Sequence, residues 1–162
     1  MSWPEGGKRL PLWDAIYNGD IVAAQKILVT KAGVAQVNAP HGQTSVHVAV
    51  QHGHAKLLKH LLFTGADVNA RTINGTTPLH LAVEINRRDI VQDLLLAGAN
   101  PLLRNFTGQT ALQSAVSRGF KPIAMLLRQG VDSQQTLANL EAASQQVAKR
   151  RQSLLASQPA PK

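Results

Sequence analysis

The chain has 162 residues, of which 44% are hydrophobic and 16% are charged, so most of it is expected to form one globular domain with a buried core. It has no cysteine, which excludes disulfides, thiol catalysis and Cys-ligated zinc. The formal net charge of +8 permits acidic partners such as nucleic acid, an anionic membrane or an acidic protein, without choosing among them.

The N-terminal residues 1–9 are predicted to be flexible. The opening sequence, MSWPEGGKRLPLW, is not followed by the apolar segment of a signal peptide. No apolar run reaches the roughly 18–20 residues that a membrane-spanning helix needs. We therefore expect a cytoplasmic protein, and the sequence leaves open a nuclear location or secretion without a signal peptide.

Residues 10–39 are predicted to form a degenerate N-terminal capping repeat. Their sequence, LWDAIYNGDIVAAQKILVTKAGVAQVNA over 12–39, has the general pattern of the repeats that follow but lacks their opening threonine and proline. Terminal units of a stacked-repeat protein are commonly atypical in this way.

Residues 40–132 contain three repeats with a period of 33 residues. Three residue types recur at this spacing: Gly42, Gly75 and Gly108; Thr44, Thr77 and Thr110; and Ala49, Ala82 and Ala115. A period in the thirties is typical of a solenoid in which each unit buries its apolar face against its neighbours. The alanines allow the first helices of adjacent units to approach closely.

Each repeat is predicted to contain two short helices. In the second repeat, Thr77 can cap the first helix, Pro78 suits its first turn, and Gly98 can end the second helix. We interpret the third repeat as one residue shorter than the second between Gly119 and Gly130, and it lacks the Gly-Ala pair.

Residues 133–156 are predicted to form a separate C-terminal helix that begins at a cap on Asp132 or Ser133. Its apolar positions, spaced by threes and sevens, are Leu137, Leu140, Val147 and Leu154. The helix can close the exposed end of the stack or form a coiled coil with a second chain. The tail, 157–162, is expected to be disordered.

Three motifs resemble those of ankyrin-repeat proteins: Thr-Pro-Leu-His at 77–80, GADVNA at 65–70 and GAN at 98–100. The resemblance covers about residues 10–132 and implies an all-α ankyrin-repeat solenoid followed by the C-terminal helix. It also implies that His47 and His80 hydrogen-bond to the backbone of adjoining loops, with Gln113 in the equivalent third position.

The sequence offers little to support catalysis. His52, His54 and His60 are the only clustered candidates for a metal site, and no carboxylates accompany them. The acidic residues are dispersed, and neither a phosphate-binding loop nor a nucleophile elbow is present. We therefore predict no enzymatic activity, no cofactor and no bound metal.

The resemblance implies recognition of another protein, of unknown identity, by the concave face and the hairpin tips. The candidate partner-binding residues are Tyr17, His41, Gln51, His52, Ile73, Asn74, Glu84, Ile85, Phe106, Thr107 and Arg118. Four of them are apolar or aromatic and are interpreted as an anchor strip, namely Tyr17, Ile73, Ile85 and Phe106.

Two other functions remain open at this stage. The basic residues outside the groove could bind nucleic acid or an anionic membrane, although a groove whose only charges are Glu84 and Arg118 argues against nucleic acid as the partner. The C-terminal helix could mediate self-association.

Overall fold

The computed structural model describes residues 11–28 and 40–156, which form eight α-helices and a short 3-10 turn at Pro40–Gly42. In chain order the helices are α1 Pro11–Asn18, α2 Ile21–Leu28, α3 Ser45–Gln51, α4 Ala55–Phe63, α5 Pro78–Glu84, α6 Arg88–Leu96, α7 Ala111–Ser117 and α8 Lys121–Ala156. The expectations for residues 1–9 and 157–162 lie outside the described residues, as does the end of the capping repeat at 29–39.

The helices repeat with the period of the sequence. The first helices of the three repeats begin at Ser45, Pro78 and Ala111, and the second helices begin at Ala55, Arg88 and Lys121. Both series have a spacing of 33 residues, and an additional helix pair, α1 and α2, precedes them. The prediction of an all-α ankyrin solenoid is confirmed.

The first helix of each repeat begins at the predicted threonine. Thr44, Thr77 and Thr110 are extended N-cap residues, and each forms a reciprocal capping box with the residue three positions later. Pro78 occupies the first turn of α5, where no backbone N–H is needed for a helical hydrogen bond. Local sequence therefore sets where these short helices start.

Packing between neighbouring repeats creates the core. The first helices form one row, in which α3 packs against α1 and α5, and α5 packs against α7. Ala49, Ala82 and Ala115 have no exposed surface in this row, which agrees with their predicted role as close-contact residues. The second helices form a parallel row, and Leu57, Leu61, Ile90, Leu94, Ile123 and Leu127 are buried between the rows.

The third repeat differs from the sequence interpretation in two respects. It is not shorter, because α8 begins in register with α4 and α6, which places Gly130 opposite Ala97 rather than Gly98. Nor does a separate helix begin at Asp132 or Ser133, since α8 continues without interruption from Lys121 to Ala156.

The continuous helix has a physical cause in one residue. Gly65 and Gly98 end their helices with a φ of +88°, and the residue in register with them is Val131. A β-branched side chain strongly disfavours this left-handed conformation, so the third repeat lacks the helix stop of the other two.

Among the described residues, no helix is both long and apolar enough to cross a membrane.

Replacing Gly98 with alanine tests this account of helix termination. A Cβ atom at this position would meet no heavy atom within 4 Å, so its effect should come from the backbone alone. We expect Gly98→Ala to lower the free energy of unfolding by about 1 kcal/mol, measured by urea denaturation, because a left-handed alanine is strained. Gly65→Ala, which has the same φ and the same open space, should give the same loss. A neutral or stabilising effect in both variants would contradict the explanation.

Candidate protein-binding surface

The tips of the hairpins between repeats are joined to one another through their backbones. The Ile73 N–H donates to the His41 carbonyl oxygen at 3.0 Å, and the Phe106 N–H donates to the Asn74 carbonyl oxygen at 3.0 Å. Since each bond crosses from one hairpin to the preceding one, the tips form a connected row rather than independent loops.

Two apolar side chains project from this row. Ile73 is 64% exposed and Phe106 is 74% exposed. Each lies beside a glycine of the preceding hairpin, and a Cβ atom at Gly75 would come within 2.9 Å of the Phe106 ring. Gly75 therefore lets the ring rest on the neighbouring hairpin, while most of the ring surface stays available to a partner.

Polar contacts fix the last hairpin internally. The Asn105 side-chain oxygen accepts from the N–H groups of Thr107 and Gln109, at 3.1 and 3.0 Å. Arg104 donates to the Gly108 carbonyl oxygen at 2.7 Å, and Arg71 of the preceding hairpin donates to the Arg104 carbonyl oxygen at 2.7 Å. The two arginines were not among the predicted site residues, although their 33-residue spacing was an available signal.

Two histidines at equivalent positions in the first and second repeats connect each repeat to the next hairpin. His47 accepts from the Thr44 N–H at Nδ1, at 3.2 Å, and its Nε2 lies 3.0 Å from the Thr76 carbonyl oxygen. His80 repeats the arrangement, with its Nδ1 3.3 Å from the Thr77 nitrogen and its Nε2 3.0 Å from the Gln109 carbonyl oxygen. The expected structural role of both histidines is confirmed.

These bonds require neutral histidine. Nδ1 accepts from a backbone N–H, so the ring hydrogen must be on Nε2, which then donates to the carbonyl oxygen. Burial lowers the pKa of both His47 and His80 below the ordinary value of 6.5, against the opposing effect of the backbone carbonyl. Protonation of Nδ1 would remove the acceptor that the N-cap N–H needs.

The candidates at the ends of the first helices form a second row. Tyr17 and His52 meet edge to face with ring centroids 4.6 Å apart, and Gln51 accepts a hydrogen bond from Gln43 at 3.2 Å. Glu84 and Arg118 form an ion pair at 4.0 Å between half-exposed side chains. These contacts join the capping repeat to the first full repeat, and the second full repeat to the third.

The structure divides the proposed apolar strip between these two rows. Ile73 and Phe106 lie at the hairpin tips, whereas Tyr17 and Ile85 lie at the ends of first helices. Ile85 is only half-exposed and packs against the core, so it offers less surface than the other three. The remaining candidates are exposed on the same rows: His41, Asn74 and Thr107 at the tips, and Gln51, His52, Glu84 and Arg118 along the helix ends.

The two most exposed large hydrophobic residues of the described chain lie outside the predicted set. Phe63 ends α4 and is 90% exposed, and Leu96 ends α6 and is 79% exposed. They occupy the same position in successive repeats, which the 33-residue spacing could have indicated.

The histidines considered for metal binding are arranged differently from a metal site. His52 and His54 have ring centroids 5.9 Å apart, and His54 Nε2 lies 3.4 Å from the Tyr17 carbonyl oxygen. Within the described residues, no group of three or more histidine or carboxylate side chains is arranged to hold a metal ion.

A comparison with family models identifies the repeats. The model described as "Ankyrin repeats (3 copies)" matches residues 5–72 and 56–139, and the chain belongs to this family. A comparison with curated proteins finds no match. Ankyrin repeats are generally protein–protein interaction modules and are typically non-catalytic. Membership of this family therefore indicates protein binding as the general class of function.

The histidine bonds predict a pH dependence of stability. Because folding lowers the pKa values of His47 and His80, their stabilising contribution is present above pH 6.5 and declines as the pH falls below it. Each histidine can contribute a slope of at most about 1.4 kcal/mol per pH unit.

Urea denaturation at pH 7.5 and 5.5 measures this effect. The double variant His47→Gln/His80→Gln should lose less stability on acidification than the unmodified chain, since Gln113 already makes the N-cap bond without titrating. His60→Gln, a histidine on α4 outside these bonds, is the control and should keep the original pH dependence. An unchanged slope in the double variant would contradict the interpretation.

Proposed function

We propose that this chain is a non-catalytic module, acting as a scaffold, inhibitor or regulator, that binds a protein partner through its hairpin tips and concave face. The observation that carries the proposal is the exposure of Phe106 and Ile73 on tips whose backbones are hydrogen-bonded to their neighbours. Large exposed side chains on a fixed backbone are suited to act as binding anchors.

The fixed geometry of the tips reduces the entropic cost of binding. A loop that becomes ordered on binding loses conformational freedom, and this loss reduces affinity. Here Asn105 holds the last hairpin, and the Phe106 N–H ties it to the preceding one. A few anchors can then give useful affinity from a modest contact area.

The charges of the second row, at the ends of the first helices, favour a protein partner over nucleic acid. Glu84 and Arg118 are paired with each other, which lowers the net charge available to attract phosphates. Lys59 and Arg87, outside this row, are also paired, since Lys59 contacts Asp93 at 3.3 Å and Arg87 contacts Asp89 at 2.7 Å.

The absence of cysteine is compatible with the reducing cytoplasm, where we expect the module to act.

The double variant Phe106→Ala/Ile73→Ala tests the proposed surface. Partners are captured from a lysate with the unmodified chain, identified, and then titrated as purified proteins against each variant. We expect the double variant to weaken binding at least tenfold, since removing a central aromatic anchor commonly costs more than about 1.4 kcal/mol. The helical circular dichroism signal should not change.

The matched control is Phe63→Ala/Leu96→Ala, which removes a comparable exposed apolar surface from the ends of α4 and α6. It should bind the partner as the unmodified chain does. Equal affinity of the two double variants would contradict the proposal. Binding to an acidic polymer that falls steeply with added salt, and is unaffected by Phe106→Ala/Ile73→Ala, would instead favour the nucleic-acid or anionic-membrane alternative.

A further inference from the structure

The stack has an uncovered apolar face at its C-terminal end. Val50 and Val83 occupy the same position in the first two repeats and are fully buried, whereas Val116, the next in register, is 62% exposed. The difference arises because α5 packs against α3 and α7 packs against α5, while no first helix of a further repeat follows α7 in the described chain.

The polar residue of the third repeat that is equivalent to His47 and His80 is also exposed. His47 and His80 are buried and contact the carbonyl oxygen of the next hairpin. Gln113 is exposed and uses its side-chain oxygen to accept from the Thr110 N–H at 3.0 Å. Its amide NH2 group has no hydrogen-bond partner among the described residues. The third repeat therefore exposes the Val116 side chain and the Gln113 amide group, whereas the equivalent positions of the first two repeats are covered.

The same chain cannot cover this face with α8 as it stands. The first part of α8 serves as the second helix of the third repeat and packs against α6 and α7. Gln134 still donates to the Ala99 carbonyl oxygen at 3.4 Å. The remaining residues, 135–156, continue the helix for about 33 Å, so a return to α7 would require the helix to break.

The distal segment of α8, residues 135–156, has an amphipathic sequence. Its exposed side chains include Ala138, Glu141, Ala142, Gln145 and Lys149. The apolar positions at Leu137, Leu140, Val147 and Leu154 give the sequence of this segment the spacing of a helix with one apolar side. In the earlier repeats the equivalent faces of α3 and α5 are each covered by one helix, α5 and α7 respectively, through buried positions that include Ala82 and Ala115.

We propose that the uncovered end face of one chain is covered by the distal segment of α8 from a second copy, in a symmetric dimer. The end face consists of Gln113 and Val116 together with Leu112 and Ala124, which are only partly buried, whereas Leu79 and Val91, in register one repeat earlier, are buried. Both elements belong to the same end of the molecule, so a two-fold axis allows each chain to donate its segment and receive its partner's. The interaction is closed at two copies and leaves the hairpin tips free. It does not depend on the function proposed above.

The mass of the full-length chain in solution tests the dimer. Size-exclusion chromatography with light scattering at about 100 μM should give twice the chain mass of 17.4 kDa, since a dimer with a dissociation constant of about 1 μM is almost fully formed at that concentration. Val116→Lys on the face and Leu140→Glu in the segment should each raise the dissociation constant of the dimer at least tenfold. On dilution, each variant should therefore become monomeric at a higher protein concentration than the unmodified chain does. Phe63→Lys, an equally exposed apolar position on α4, is the control and should remain dimeric.

The circular dichroism signal establishes that each variant is folded before its mass is interpreted. A monomeric unmodified chain would overturn the proposal. A dimer that Leu140→Glu disrupts and Val116→Lys does not would also overturn it, because α8 would then pair with α8 alone. A dimer that Val116→Lys disrupts and Leu140→Glu does not would overturn the assignment of the segment as the occupant.

Discussion

The contact between neighbouring repeats is the interaction on which this structure depends. A helix pair such as α5 and α6, with seven and nine residues, is too small to bury an apolar core alone. Ala82 in α5 has no exposed surface because α3 and α7 lie on either side of that helix. His80 adds a polar contact, since its ring connects the cap of its own helix to the Gln109 carbonyl oxygen in the next hairpin.

The same contact determines the properties of the surface. Where a neighbour is present, hairpin tips are hydrogen-bonded across repeats, and Phe106 projects from a backbone fixed by Asn74. Where a neighbour is missing, a side chain of the core type is exposed, as Val116 is. A row of fixed tips and an open end are therefore two consequences of one stacking rule, and they suggest binding to different partners.

Much of the fold could be predicted because its information is local and periodic. The spacing of Thr44, Thr77 and Thr110 located the first helices, and the Thr-Pro-Leu-His tetrapeptide indicated the histidine bonds. The course of α8 was predicted wrongly, because Asp132 or Ser133 was taken to cap a new helix, although Val131, in the register of Gly98, does not end the preceding one. The 33-residue spacing could have marked Arg71 with Arg104, and Phe63 with Leu96, as equivalent positions. It could not give the contacts of Arg71 or the exposed fraction of Phe63, because both depend on tertiary neighbours.

Native-state hydrogen exchange, measured residue by residue by NMR, tests most directly whether stacking makes the repeats one cooperative unit. The slowest amides of α3, α5 and α7 should exchange with one shared free energy of opening. Val83→Ala, a change to a fully buried side chain in α5, should lower that free energy in all three helices together. Loss of protection confined to α5 and α6, with α3 and α7 unchanged, would contradict the account.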